Sequence, residues 1–157
     1  MSLEHLITDR TGQDVDRVKF LAEKAWQDMT AEERAEWISP MKGSYNYTDF
    51  NRVEEAVAYV AGRLMEYSYF SFQPFARSWS ADEIPNENDL TRYFDNVAEL
   101  RRAISVWANT PDAPSNINDF GVTEANALEQ ILVDIDQILT LISQAWFYSS
   151  DLYSAEV

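Results

Sequence analysis

The chain has 157 residues, of which 46% are hydrophobic and 13% aromatic, a composition too apolar for a disordered protein. It has no cysteine, which excludes disulfides and cysteine-based zinc or nucleophile chemistry, and no apolar run of about 18 residues that would span a membrane. The net charge is −15 and the last basic residue is Arg102, so nucleic acid and anionic membranes would be repelled.

The simplest interpretation of this charge is a well-solvated surface. A docking surface for a basic partner and mimicry of nucleic-acid charge are the alternatives. The chain does not open with a basic stretch followed by an apolar one, so we expect no secretory signal.

The N-terminal part predicts an irregular lead-in and two short helices. Residues 1–10 carry no helical pattern and form the lead-in. Capping-box spacing at 11–14 begins a first helix, which an apolar stripe carries to about Met29. A second capping box at 30–33 begins a short helix that runs through Trp37.

Three longer stretches, 48–64, 88–104 and 123–139, repeat one helical pattern. When they are aligned, apolar residues share four columns spaced three or four residues apart, which is one face of an α-helix. We expect these columns to form the core. They are Val53, Tyr93 and Leu128; Val57, Val97 and Leu132; Val60, Leu100 and Ile135; and Leu64, Ile104 and Leu139.

Capping residues and the ends of the apolar stripes set the predicted bounds of the long helices. The first runs from a cap at Thr48 to Glu66, the second from a cap at Asn86 or Asn88 to Trp107, and the third from a cap at Thr123 to 148–151. The third has the widest apolar stripe, which indicates more than one packing neighbour. Gly62 lies inside the first, and a close helix crossing would explain it.

Together these elements predict an all-α fold, an irregular helical bundle of three long and about two short helices within one domain, 1–157. The aromatic segment 67–75 is β-prone, which leaves a minor extended segment or one short strand pair open there. We expect 149–157 to form a mobile tail. The connections are too long to fix an up-and-down helix order, and a solenoid of repeats is a weaker alternative.

The sequence offers little for catalysis or metal binding. His5 is the only histidine and lies in the lead-in, so Glu-x-x-His di-iron chemistry has no ligands and serine-type catalysis has a poorly placed base. The carboxylate pairs Glu54 with Glu55 and Asp134 with Asp136 point apart on a helix. We therefore expect no catalytic residue, no metal, no cofactor and no enzymatic activity.

Two polar motifs and a set of aromatic residues are the candidate contact groups. Asn51 with Glu54 and Asn126 with Glu129 repeat an Asn-x-x-Glu motif at matching helix positions, and we interpret both as helix-packing pairs. Gripping the backbone of a partner is the alternative. Seven aromatic residues around the least regular segment form either a minor core or a candidate partner interface; they are Tyr45, Tyr47, Tyr69, Phe70, Phe72, Phe75 and Trp79.

Several segments resemble a protein family encoded in phages and prophages of Gram-positive bacteria. They are LITDRT at 6–11 with DVD at 14–16, YTDFNRVE at 47–54, WSADEIP at 79–85, NALE at 126–129 and the closing FYSSDLYSAE at 147–156. The family closes on a similar segment with glycines where this chain has Ser150 and Ala155, and with Glu where it has Asp151. If those glycines shape a turn, that turn is in doubt here.

The resemblance implies a non-enzymatic structural or adaptor module of the tail or baseplate region. Its partners would be other phage structural proteins and copies of itself, with no nucleic acid and no membrane involved. It would be found in the virion, or in the host cytoplasm during assembly. The alternatives are a small acidic phage protein that mimics DNA and inhibits a host DNA-binding protein and, with weaker support, a sugar-binding module.

Overall fold

The structure, a computed structural model, describes residues 3–69, 71 and 73–154, with side chains as far as Trp146. Within these residues the fold is all-helical, as predicted. The five α-helices are α1 (Gly12–Ala22), α2 (Ala31–Trp37), α3 (Tyr47–Glu66), α4 (Glu87–Ala103) and α5 (Val122–Ser154). Short 3-10 turns at Trp26–Asp28 and Ile117–Asp119 interrupt two of the connections.

Helices α3 and α5 run in the same direction. Arg52, near the start of α3, donates to Glu129, near the start of α5. Further along both helices, Arg63 donates to the Thr140 hydroxyl over 3.2 Å. Contacts that advance together along two helices require a parallel arrangement.

Helix α4 follows the same direction. Phe94, in its first half, packs against Phe120, which precedes α5. Arg101, near the end of α4, donates to the carbonyl oxygen of Thr110, whose hydroxyl in turn donates to Asp134 within α5. Parallel neighbours cannot be joined by tight turns, which explains the long connections 67–86 and 104–121.

The core lies between the three long helices and is formed by the predicted columns. Eleven of the twelve column residues are buried, and Ile104 packs against them partly buried. Helix α5 contacts both α3 and α4, as its wide apolar stripe predicts. The close helix crossing expected at Gly62 is wrong, because a Cβ built there would meet nothing within 4 Å.

The predicted caps at Thr11 and Thr30 are confirmed, and of the two candidate caps of α4, Asn86 is the one that caps it. Thr11, Thr30 and Asn86 each cap a helix reciprocally with the residue three positions on. The predicted cap of α3 is wrong. Asn46 rather than Thr48 is the cap, because its side chain accepts from the Thr48 backbone N–H and Asp49 completes the box.

Other predicted helix bounds are also wrong, and tertiary contacts explain two of them. Helix α1 ends at Ala22 instead of Met29, because the chain turns back so that Lys24 binds Glu33 of α2 over 2.6 Å. Helix α4 ends at Ala103 instead of Trp107. Its C-cap, Ile104, is extended, and Arg101 binds carbonyl oxygens of the returning connection.

Helix α5 begins at Val122, so Thr123 lies inside its first turn rather than capping it. It continues through Ser154, beyond the predicted end at 148–151. Residues 149–154 of the predicted mobile tail therefore have a helical backbone, and 155–157 lie outside the described residues.

The aromatic segment after α3 forms no strand in its described part. The N–H of Tyr69 donates to the Leu64 carbonyl over 2.9 Å, which closes the helix, and Ser68 takes a left-handed conformation with φ 61°. Residue 71 and residues 73–80 then have no regular structure. Phe70 and Phe72 lie outside the described residues.

Helices α1 and α2 pack against each other beside this core, and Leu21 is fully buried. The loop before α3 approaches them so closely that a Cβ at Gly43 would lie 2.1 Å from the Asp14 carbonyl oxygen. This backbone-to-backbone approach requires glycine without requiring a positive φ.

Candidate functional site

Each Asn-x-x-Glu motif holds the backbone of a distant segment. The Asn51 side chain accepts from the Trp79 N–H over 2.7 Å and donates to the Trp79 carbonyl over 2.9 Å. Asn126 makes the same pair of bonds with the backbone of Arg10, at 3.0 and 2.9 Å. We call this arrangement a backbone clamp. Both clamps act within the chain, on irregular segments that lie alongside the helices.

The glutamates of the motifs receive arginines from neighbouring helices. Glu54 on α3 accepts from Arg92 of α4 at 2.6 and 3.2 Å. Glu129 on α5 accepts from Arg52 of α3 at 2.9 and 3.1 Å. Arg52 and Arg92 occupy equivalent positions in the repeated helical pattern. The same Glu and Arg positions therefore join α3 to α4 and α5 to α3.

A buried cluster of four charges surrounds Glu129. Arg10 binds Glu129 at 2.7 Å and Asp49 at 3.1 Å, and Arg52 binds the same two carboxylates. Two arginines thus face two carboxylates, and charge balance lets the group persist away from water. The backbone N–H of Ile7 adds a 2.6 Å bond to Glu129.

Burial alone would lower the pKa of Arg52, but its bonds to Glu129 and Asp49 more than offset this and raise it. The guanidinium therefore stays charged. Among the described buried side-chain nitrogen and oxygen atoms, the Nε of Arg10 has no hydrogen-bond partner. Each of the four charged side chains binds an oppositely charged member of the cluster, as expected for a group that stabilises the fold.

Two tyrosine hydroxyls meet next to this charge cluster. The hydroxyls of Tyr45 and Tyr93 lie 2.6 Å apart, and the guanidinium of Arg10 lies 5.3 Å from the Tyr45 ring centroid. Burial raises the pKa of both tyrosines above the ordinary 10.0. Both hydroxyls therefore stay protonated at neutral pH and share a hydrogen bond inside the core.

The five predicted aromatic residues that the structure describes do not form one cluster. Tyr45 and Trp79 pack against Phe50 in the core, with ring centroids 5.1 and 5.3 Å away. Tyr47 and Tyr69 are 40% and 44% exposed, at opposite ends of α3. A helix of this length spans about 30 Å, so these two rings cannot share a small site.

Among the predicted aromatic residues that the structure describes, Phe75 is the most exposed, with 66% of its surface in solvent. Its backbone is nevertheless held, since its carbonyl oxygen accepts from Arg92 at 2.7 Å and from Asn96 at 3.1 Å. The Arg92 guanidinium also lies 5.5 Å from its ring centroid. Ile84, in the same connection, is 91% exposed. Segment 73–86 thus places two apolar side chains in solvent on an anchored backbone.

The sequence analysis missed three members of the buried polar groups. Arg10 and Asp49 belong to the charge cluster, and Thr110 donates to buried Asp134 over 2.6 Å. Asp49 alone had a sequence signal, its place three residues before Arg52. Arg10 and Thr110 lie in segments without periodicity, so no local pattern identifies their partners.

Among the described residues, no group of three or more histidine, cysteine, aspartate or glutamate side chains could hold a metal ion. Among the helices that the structure describes, none is both long enough and apolar enough to cross a membrane.

Comparison of the chain with protein-family models, with curated proteins and with solved structures finds no match.

Proposed function

We propose that this chain is a non-enzymatic structural or adaptor module of the tail or baseplate region of a phage or prophage. It acts through protein–protein contacts. The proposal starts from the resemblance of its segments, above all YTDFNRVE at 47–54 and NALE at 126–129, to a family of such proteins.

The observation that carries the proposal is the internal use of those same motifs. Asn51 and Asn126 hold the backbone of Trp79 and Arg10, and the two motif glutamates bind arginines of the neighbouring helices. Because these motif residues bind groups within the chain, contacts with partners are left to other residues on the outer surface.

On that surface, segment 73–86 is the contact region that we favour. Phe75 and Ile84 are exposed, while the backbone of the segment is held by Asn51, Arg92 and Asn96. Apolar side chains on a pre-ordered backbone lose little conformational entropy on binding, which favours a protein partner.

Mimicry of DNA charge has less support. Of the eight acidic residues after Arg102, the six whose side chains the structure describes all bind groups within the chain. Glu129 and Asp134 are buried, and Asp136 pairs with Arg63. A ridge of exposed acids spaced like phosphates would need these side chains in solvent. Sugar binding is also weakened, because Trp79 is buried.

Photo-cross-linking during phage production tests the proposal. A photoreactive phenylalanine analogue replaces Phe75 or Ile84, and Phe20, an exposed aromatic of α1, is the matched control position. We expect cross-links from 75 and 84 to another phage structural protein, and none from 20. Cross-links only to a host DNA-binding protein, or none to any phage protein, would overturn it.

A further inference from the structure

Each of the two exposed apolar side chains of the proposed contact region has an unpaired carboxylate beside it. Glu87 follows Ile84 by three residues and lies in the first turn of α4. Asp95 lies one turn beyond Arg92 on α4, and Arg92 holds the carbonyl oxygen of Phe75. Both carboxylates are exposed, and neither has a hydrogen-bond or ion-pair partner among the residues that the structure describes.

The basic side chains of the same region are already neutralised within the chain. Residues 73–99 include six acidic residues and two basic ones. Arg77 binds two carboxylates, at 2.6 and 2.8 Å, and Arg92 binds buried Glu54 at 2.6 Å. The charge that remains for a partner to meet is therefore negative.

The exposed apolar side chains and their carboxylates lie along the first half of α4. Arg92 and Asn96, which hold the Phe75 carbonyl, are about 9–15 Å along the helix from its cap, Asn86, at about 1.5 Å per residue. Ile84 lies two residues before that cap. One partner segment about 15–20 Å long can therefore contact both apolar side chains at once.

Charge selects among the possible occupants of this surface. A second copy of the chain, nucleic acid and an anionic membrane all have a net negative charge, so these carboxylates would repel them. Exposed apolar side chains bordered by unpaired acids are complementary to an apolar contact bordered by lysine or arginine. We propose that the partner at this surface is a protein segment that presents apolar side chains flanked by lysine or arginine.

This assignment rests on the proposed function for the choice of segment 73–86 as the contact region, and it adds the chemistry of the partner. Charges at the edge of an interface mainly set the association rate and its salt dependence. Exposed ion pairs are individually weak. Phe75 and Ile84 therefore supply most of the affinity, while Glu87 and Asp95 discriminate between basic and acidic partners.

Two synthetic amphipathic helical peptides test the partner chemistry. Both have leucine on one face, and the other face has lysine in one peptide and glutamate in the other. Amide chemical shifts of the isotope-labelled chain are followed as each peptide is added. The leucine–lysine peptide is expected to shift amides within 75–99 and to bind more weakly as salt rises from about 0.05 to about 0.3 M. The leucine–glutamate peptide should not bind.

Variants of the chain locate the effect. Glu87→Gln/Asp95→Asn should weaken binding of the leucine–lysine peptide about three- to tenfold at low salt. Asp16→Asn/Glu23→Gln removes two exposed acids in and just after α1, so it is the matched control and should leave binding nearly unchanged. Ile84→Ser, at a side chain that is 91% exposed, should weaken binding roughly tenfold. Circular dichroism checks that each variant is folded.

Three results would overturn the assignment of a basic partner. They are equal binding of the two peptides, shifts spread over the whole acidic surface, and an equal loss of binding in the control variant. Photo-cross-linking from positions 75 and 84 separates this assignment from the proposed function. Cross-links to an acidic or uncharged segment of a phage protein would refute the basic partner alone. Localised binding of the leucine–lysine peptide without cross-links to any phage protein would refute the phage function alone.

Discussion

Arg10 and Glu129 are 119 residues apart in the chain and form a buried ion pair of 2.7 Å. The pair fixes the N-terminal segment against α5. Arg52 of α3 binds the same carboxylate. Glu129 therefore links the N-terminal segment, α3 and α5. Removing one member of such a group leaves an uncompensated charge in a place without water.

Glu129→Gln is therefore expected to destabilise the protein strongly. Glutamine keeps the shape of the side chain but leaves Arg10 and Arg52 with only Asp49 as a counter-charge. The cost should be about 3–5 kcal/mol, measured by urea unfolding. Glu99→Gln, which removes an exposed carboxylate paired with Arg102, is the control and should cost less than about 1 kcal/mol. Equal effects of the two variants would refute a structural role for the cluster.

The backbone clamps make a second, local prediction. Asn126→Ala and Asn51→Ala each remove two hydrogen bonds to the main chain, which should cost about 1–3 kcal/mol. Hydrogen exchange should speed up selectively, in 3–10 for the first variant and in 73–80 for the second. Asn118→Ala, at an exposed asparagine, is the control. Uniform changes across the chain would argue against segment-specific clamps.

Two glycines should respond to alanine in opposite directions. Gly43→Ala brings a Cβ within 2.1 Å of a backbone oxygen of Asp14, so a destabilisation of more than 1 kcal/mol is expected, on the order of an overpacked site. Gly62→Ala meets open space inside α3 and should stabilise by up to about 1 kcal/mol. Thermal melts of the two variants measure both signs, and a shift in the same direction for both would contradict this account.

The buried tyrosine pair predicts a loss of stability in alkali. The pKa of Tyr45 and of Tyr93 is raised by burial above 10.0, so above that pH the unfolded chain releases protons that the folded chain retains. Stability then falls as pH rises, by up to about 1.4 kcal/mol per pH unit for each tyrosine.

Urea unfolding between pH 9 and 11 checks this dependence. Tyr45→Phe alone should also weaken the protein at neutral pH, because it leaves the buried Tyr93 hydroxyl without its partner. The Tyr45→Phe/Tyr93→Phe double variant should lose most of the alkaline slope, whereas Tyr69→Phe, at an exposed ring, should keep it. A double variant with an unchanged slope would exclude this pair as the cause.

Local and periodic features were predictable from the sequence. The capping boxes at Thr11 and Thr30 act over three residues, and the core columns repeat along each helix. The bond between Arg10 and Glu129 was not predictable, since in a chain with 27 acidic residues each arginine has many candidate partners.

The burial of side chains in the irregular connections was also not predictable from the sequence. Trp79 and Phe75 lie in the same connection, 67–86, yet the first is buried and the second is exposed. A segment without periodicity gives no rule for which ring turns inward. The end of α4 was missed for a related reason, because it depends on Arg101 binding carbonyl oxygens of a connection whose path the sequence does not reveal.

The central claim, a structural module of a phage particle, is tested most directly by quantitative mass spectrometry of particles of the encoding phage after density-gradient purification. We predict that peptides of this chain co-purify with the particles at a fixed ratio to known tail proteins. A chain that is abundant in infected cells but absent from purified particles would contradict the claim and favour the acidic-inhibitor alternative.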